Sequence, residues 1–263
     1  MSYTRWVGSR LIRALTSLRG VVSFGLITCG VLITKGRTAS NVIYPLIWQQ
    51  VMRSGVALLP MVLFLAVALG LVVIGQTVSL ATQVGARQYL GMVMVTVVVR
   101  ELGPLLAALI VLARAGTGTV IELGTARASR EVEALELIGI DPIHYFVVPR
   151  IIGMALGVFC LTVYMIVVAL LAGYLWAFVQ NVPILPSDYF NQLAGALHPL
   201  DFVALGLKST GMGVLIALVT CYHGLAQPLH IEDVSKATIR AITQSVVLCV
   251  MADALFLIIY LLL

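Results

Sequence analysis

Charge is what this 263-residue chain has least of: Asp, Glu, Lys and Arg together make up 10% of it, against about 25% in an ordinary soluble domain. With 61% apolar residues and a mean hydropathy of +1.08, a water-soluble globule of this size would have too little polar surface to cover itself. A soluble enzyme, a disordered chain and a secreted disulfide scaffold are thereby excluded. Cysteine is scarce as well. Cys29, Cys160, Cys221 and Cys249 lie scattered in or beside apolar runs with no CxxC spacing, so they read as small buried side chains rather than disulfide or metal partners. His223 and His230, with Glu232 and Asp233 nearby, lack the spacing and the third convergent ligand of a metal site. No GxxxxGK[ST] loop is present to cradle a nucleotide phosphate, and neither HExxH nor GxSxG offers a hydrolytic centre. The chain therefore reads as no enzyme, with no cofactor or metal of its own. The basic N-terminus is not followed by the short apolar core and small-residue cleavage site of a signal peptide. Strand-type alternation is missing, which excludes a barrel. No 20–50-residue period repeats, which argues against carriers built from duplicated halves.

What is present is a series of long apolar runs. A helix needs about 20 residues to cross a bilayer at 1.5 Å per residue. Residues 56–80, 90–121, 151–179, 202–225 and 242–263 meet that length. The fold class is an all-α polytopic membrane protein: N-terminal interfacial amphipathic helices, then five transmembrane helices. Residues 2–24 put Val7, Leu11, Ala14, Leu15, Leu18 and Val22 on one side of a helical wheel and spread Arg5, Arg10, Arg13 and Arg19 over the other, as in a helix lying among lipid headgroups. Read as the first turns of a spanning helix, the same residues would carry four arginines into the membrane. Residues 25–40 read as a link, and 41–54, with Tyr44, Trp48 and Arg53, as a second interfacial piece. This divides the chain into 1–54, the interfacial helices, and 55–263, the five-span domain.

Lys and Arg counts set the orientation. Seven fall before or at Arg53, three in 122–150 and two in 226–241; one falls in 81–89 and none in 180–200. The N-terminus is then cytoplasmic and the C-terminus is on the far side. The excess of basic residues suits anionic lipid headgroups. Too few polar residues remain for a solvated face that could bind nucleic acid.

Segment 122–150 is the most polar stretch. Ser129 is placed to cap a helix, Gly139 to end it and Pro142 to stop it. Val132, Leu135 and Ile138 mark an apolar edge among Arg127, Arg130, Glu131, Glu133 and Glu136. A short amphipathic cytoplasmic helix over about 127–140 suits docking into a partner's groove; an inert solvated helix is the plainer reading. Arg100, Glu101, Lys208 and Asp253 lie within apolar runs. An isolated charge there costs at least about 2.5–3.5 kcal/mol on insertion scales, so these residues must pair or face water. A cluster of Arg100, Glu101 and Lys208 is expected. It would serve as a headgroup site or conformational latch, or else as an ionic tie that fixes helix packing. Gly103-Pro104 should kink the helix after it. Gly153xxxGly157 could let helices approach closely.

Arg100-Glu101-Leu102-Gly103-Pro104 and Ala113-Arg114-Ala115-Gly116 are followed by Glu122-Leu123-Gly124-Thr125 and Glu133-Ala134-Leu135-Glu136. Gly139-Ile140-Asp141-Pro142, Pro149-Arg150, Lys208-Ser209 and Ala237-Thr238 complete the series. In these strings the chain resembles the MlaE/YrbE family of ABC-transporter permeases over roughly residues 40–260. It departs from the family pattern at Ala126-Arg127, Arg130-Glu131 and Glu232-Asp233. The resemblance implies a homodimer in a bacterial inner membrane that moves glycerophospholipid. A cytoplasmic ABC ATPase, which binds the ATP and Mg, would dock on the coupling helix about Arg127–Ile140, and a periplasmic ring of MCE-domain protein would sit above. It implies a lipid cavity at the dimer interface lined by Val73, Gln76, Leu80, Val84, Glu101 and Leu102, and an acidic position at Asp253. Two other classes remain open: an ion-coupled carrier using Glu101, Lys208 and Asp253 as a proton relay, and a structural anchor for a periplasmic assembly.

Overall fold

The computed structural model describes residues 2–35, 40–83, 85, 90–179, 186–225 and 230–262. Among these residues the chain is almost wholly helical and contains no strand. That follows from the medium, because only structures that satisfy every backbone N–H and C=O internally can cross lipid.

Helix α1 runs unbroken over Ser2–Lys35. The link expected at 25–40 is corrected over residues 25–35, which hold no proline and are apolar enough to continue the helix; 36–39 lie outside the described residues. Six stretches among the described residues are long and apolar enough to cross a membrane, one more than the five read from the sequence. The additional stretch is Thr16–Thr34, which contains only Arg19 of the four N-terminal arginines. Among the described residues α1 meets the rest of the molecule mainly along its second half, where Val21 and Thr28 are buried. It packs on residues 143–147, on the end of a later helix through Phe24 and Tyr222, and through Ser17 Oγ, which donates to Gln244 Oε1 at 2.8 Å.

Helix α2 (Ser40–Ser54) passes through the 3-10 turn Val56–Leu58 into α3 (Leu59–Leu69) and α4 (Gly75–Gln83). Helices α5 (Leu90–Met94), α6 (Gly103–Val111) and α7 (Thr117–Ala128) form a second long rod. Wide π-type turns join the pieces at Gly70–Ile74, Val95–Leu102 and Leu112–Gly116. Short α8 (Glu131–Leu137) follows, then α9 (Val148–Val179), α10 (Pro186–Ala196), α11 (Pro199–Leu225) and α12 (Val234–Leu262).

Three of these helices differ from the sequence reading. Helix α12 starts at Val234, well before the apolar run at 242, so Lys236 and Arg240 stand on a helix and not in a loop. Helix α10 occupies the segment read as the 180–200 loop; it is too short and too polar to register as a span. It is held by Tyr189, whose hydroxyl donates to the Leu170 carbonyl at 3.0 Å and whose burial pushes the phenol up to about 12. Ser129, expected to cap a helix start, instead ends α7; the cap of α8 is Arg130, which takes the left-handed conformation (φ 61°) and turns the chain sharply between the two. Gly139, at φ +80°, ends α8.

Helix α9 is the centre of the bundle, touching α2, α3, α6 and α11. In lipid, apolar burial gives helices little reason to associate, and close backbone packing takes over. Gly153 and Gly157 show how. A Cβ at Gly153 would meet Gln50 Cβ at 2.7 Å, and one at Gly157 would meet Ser54 Oγ at 2.8 Å. The space left by the missing side chains lets α2 lie on α9, where buried Ser54 Oγ donates to the Gly153 carbonyl at 2.9 Å.

Candidate functional site

Lys208 sits on α11 with its side chain only 6% exposed. Its ammonium has three protons to place. It meets Asp253 Oδ1 of α12 at 2.7 Å and Glu101 Oε2 at 3.1 Å, and donates to the backbone carbonyl of Arg100 at 2.8 Å. The last contact follows from the sequence. Pro104 has no N–H to return to the carbonyl four residues before it, which is that of Arg100. The π-type turn at 95–102 and the Lys208 ammonium together absorb the break, so Gly91–Ala128 remains one helical stretch.

The Arg100 side chain does not join this knot. Its guanidinium turns to Asp201 at the start of α11, with Nη2 to Oδ2 at 3.0 Å and Nε to Oδ1 at 3.0 Å. Nη2 donates a charge-assisted hydrogen bond, while Nε and Oδ1 are in ion-pair contact without hydrogen-bond geometry. The group also lies over the Tyr260 ring, 4.2 Å from its centre. The expected cluster of Arg100, Glu101 and Lys208 is therefore two adjoining pairings, because residues 100 and 101 point about 100° apart on a helix. Asp201 was missed. It lies just outside the apolar run read as a span, yet its carboxylate is 2% exposed and also accepts the His198 N–H at 2.9 Å. The signal was present as His198-Pro-Leu-Asp201, a proline at the first helical position with a carboxylate two residues later that reaches back to the cap.

A cavity of about 270 Å3 opens against these groups. Arg100, Glu101, Asp201 and Lys208 form its polar wall; Val99, Leu205, Phe256 and Leu257 are among its apolar ones. Such a site offers charge to one end of a molecule and hydrocarbon to the other. Of the positions expected to line a lipid cavity, only Glu101 lines this one. Val73 and Leu102 pack against the core formed by Ile74, Val78, Val95 and Val98. Gln76 and Leu80 are exposed on the side of the bundle, and Val84 lies outside the described residues.

On α8 the apolar edge is also rearranged. Val132, expected to face a partner, is buried at 3% exposure and anchors the helix to the bundle. Leu135 is half-buried, while Leu137 and Ile138 are exposed at 88% and 71%. Arg127 pairs with Glu133 at 3.5 Å, and Arg130, Glu131 and Glu136 face solvent. His223 bonds Gln244 at 2.7 Å through Nε2. No group of three or more His, Cys, Asp or Glu that could hold a metal occurs among the described residues.

The architecture defines a multi-pass helical membrane protein with an ionic knot beside an amphiphilic cavity. The chain belongs to the MlaE permease family, whose model matches residues 47–259. A probable ABC transporter permease protein of Rickettsia prowazekii is 30% identical over 210 residues, 80% of this chain and 81% of the relative. A probable ABC transporter permease protein of Rickettsia bellii is 28% identical over 249 residues, covering 95% of this chain and 94% of its own length. The chloroplastic protein trigalactosyldiacylglycerol 1 of Arabidopsis thaliana is 30% identical over 210 residues, 78% of this chain and 58% of the relative.

Proposed function

We propose that this chain is the permease subunit of an ABC-type transporter that moves phospholipid out of a bacterial inner membrane toward a periplasmic MCE-domain conduit. The observation that carries the reading is the cavity beside Lys208, where Arg100, Glu101 and Asp201 face hydrocarbon walls at membrane depth. A single-headed amphiphile fits that combination. The relative named after a galactolipid supports a lipid cargo. In this reading the exposed Gln76 and Leu80 face a second copy of the chain, and a lipid enters at the interface between the two.

The chain has no nucleotide loop, so the energy comes from a separate ABC ATPase. That subunit grips α8 through the exposed Leu137 and Ile138 and the charges of Arg130, Glu131 and Glu136. In this reading helix α1 lies on the cytoplasmic surface, because four arginines fall in its first nineteen residues. The N-terminus is then cytoplasmic and the C-terminus periplasmic.

The test is reconstitution of the chain with its ATPase in liposomes holding a fluorescent phospholipid. Lipid extraction by an MCE-domain acceptor that requires ATP is the expected result. Transport that follows a pH gradient without the ATPase would establish the ion-coupled carrier instead. A complex that assembles but neither binds nor moves lipid would reduce the chain to an anchor.

A further inference from the structure

A second charged cavity lies where α2 meets the end of α7 and the start of α9. It measures about 280 Å3 and is lined by Gln49, Gln50, Arg53, Glu122, Tyr145 and Arg150, with Leu46, Phe146 and Pro149 as its apolar part. Two guanidinium groups face one carboxylate. Arg53 Nη1 stands 3.4 Å and Arg150 Nη2 3.1 Å from the same Glu122 oxygen, Oε2. Arg150 is the unusual member. Its side chain is 8% exposed, its Nη1 donates to the Phe146 carbonyl at 2.8 Å, and its Nε is buried with no hydrogen-bond partner. Held by Phe146 and Glu122 and largely shielded from water, this guanidinium keeps a fixed positive charge at the cavity wall. Glu122 leaves one positive charge uncompensated. On α2, which carries Arg53, Tyr44 and Trp48 are exposed at 70% and 68%, as suits side chains at headgroup level in a bilayer.

We infer that this pocket binds a phosphate ester, the phosphodiester of a membrane lipid headgroup, between the guanidinium groups of Arg53 and Arg150. Arginine is the side chain whose planar donors match phosphate oxygens. Gln49, Gln50 and Tyr145 supply further polar contacts for the glycerol or headgroup, and Leu46 with Phe146 receives the first carbons of an acyl chain. The lipid held here is resident. It ties α2 to the helices that flank α8, and it is separate from any cargo at the cavity beside Lys208. The inference therefore stands or falls independently of the transport reading.

Native mass spectrometry of the delipidated full chain tests it, with dioleoylphosphatidylglycerol as probe, dioleoylglycerol as the phosphate-free control and inorganic phosphate as competitor. Hydrogen exchange read over residues 44–53 and 145–150 locates the bound molecule. The expected result is phosphatidylglycerol bound in preference to dioleoylglycerol, with protection of those two segments. Binding should weaken by about tenfold in Arg53→Gln, whose exposed site leaves folding intact, and also in Arg150→Lys, which keeps the charge but loses the fork. Competition by inorganic phosphate would identify the phosphate group alone as sufficient. Its absence would show that the acyl chains contribute; either result leaves the phosphate assignment standing. Equal binding of dioleoylglycerol, unchanged affinity in both variants, or protection of these segments by the ATPase but not by lipid would overturn it.

Discussion

The two charged groups of this molecule use similar side chains to different ends. Around Lys208, ammonium, guanidinium and three carboxylates are drawn out of solvent, and the lysine is satisfied on three sides. Around Glu122 the carboxylate and Arg53 are about half exposed, and only Arg150 is deeply buried. Glu101 and Glu122 are 21 residues apart on one rod, so the groups lie roughly 30 Å from each other at 1.5 Å per residue, close to the thickness of a bilayer's hydrocarbon core. Carboxylates outnumber cations in the first group, and cations outnumber the carboxylate in the second. The inner group is one that cannot lose a member cheaply; the outer one leaves Arg53 and Glu122 open to what lies outside the protein.

Removing members in order of burial breaks this comparison most sharply. Lys208→Met strands Glu101 and Asp253 without a cation and should cost about 3–5 kcal/mol, read as a large fall in melting temperature in detergent. The triple variant Glu101→Gln, Lys208→Met, Asp253→Asn removes the charges together and should recover most of that loss. A single variant that melts like the wild type would show that the inner group is not a unit. Arg100→Gln leaves the Asp201 carboxylate buried with only the His198 N–H, at an expected cost of about 1.5–3 kcal/mol by the same melt. Leu137→Asp alters only an exposed side chain. It should leave the melt unchanged yet lower ATPase association by about tenfold, measured by co-purification. Arg53→Gln removes an exposed partner and should shift stability by less than about 1 kcal/mol. A loss as large as that of Lys208→Met would erase the distinction between the two groups.

The inner group was partly legible in the sequence, because an ionisable residue within an apolar run is expensive enough to demand an explanation. Glu101, Lys208 and Asp253 each stood out for that reason. Asp201 did not, since hydropathy placed it on the edge of a run and the pairing that buries it joins residues 101 positions apart. The outer group was not legible. Glu122 and Arg150 stood in separate short strings, and Arg53 counted only toward orientation. What joins them is the close packing of α2 on α9, which Gly153 and Gly157 permit but do not announce. The length of α1 escaped because the arginines at its start drew the reading to an interfacial piece, although Thr16–Thr34 is apolar enough to cross a membrane. Helix α10 escaped because it is short and polar.

The central claim is that the inner cavity holds a lipid by its headgroup. Lipid per chain, counted by mass spectrometry after purification, tests it when the wild type is compared at matched stability with the triple variant, which keeps only the Arg100–Asp201 pair in the cavity wall. The account predicts one phospholipid fewer per chain in the variant than in the wild type, any lipid in the cavity beside Arg150 being common to both. Equal lipid in both would contradict it and leave the charges as packing ties.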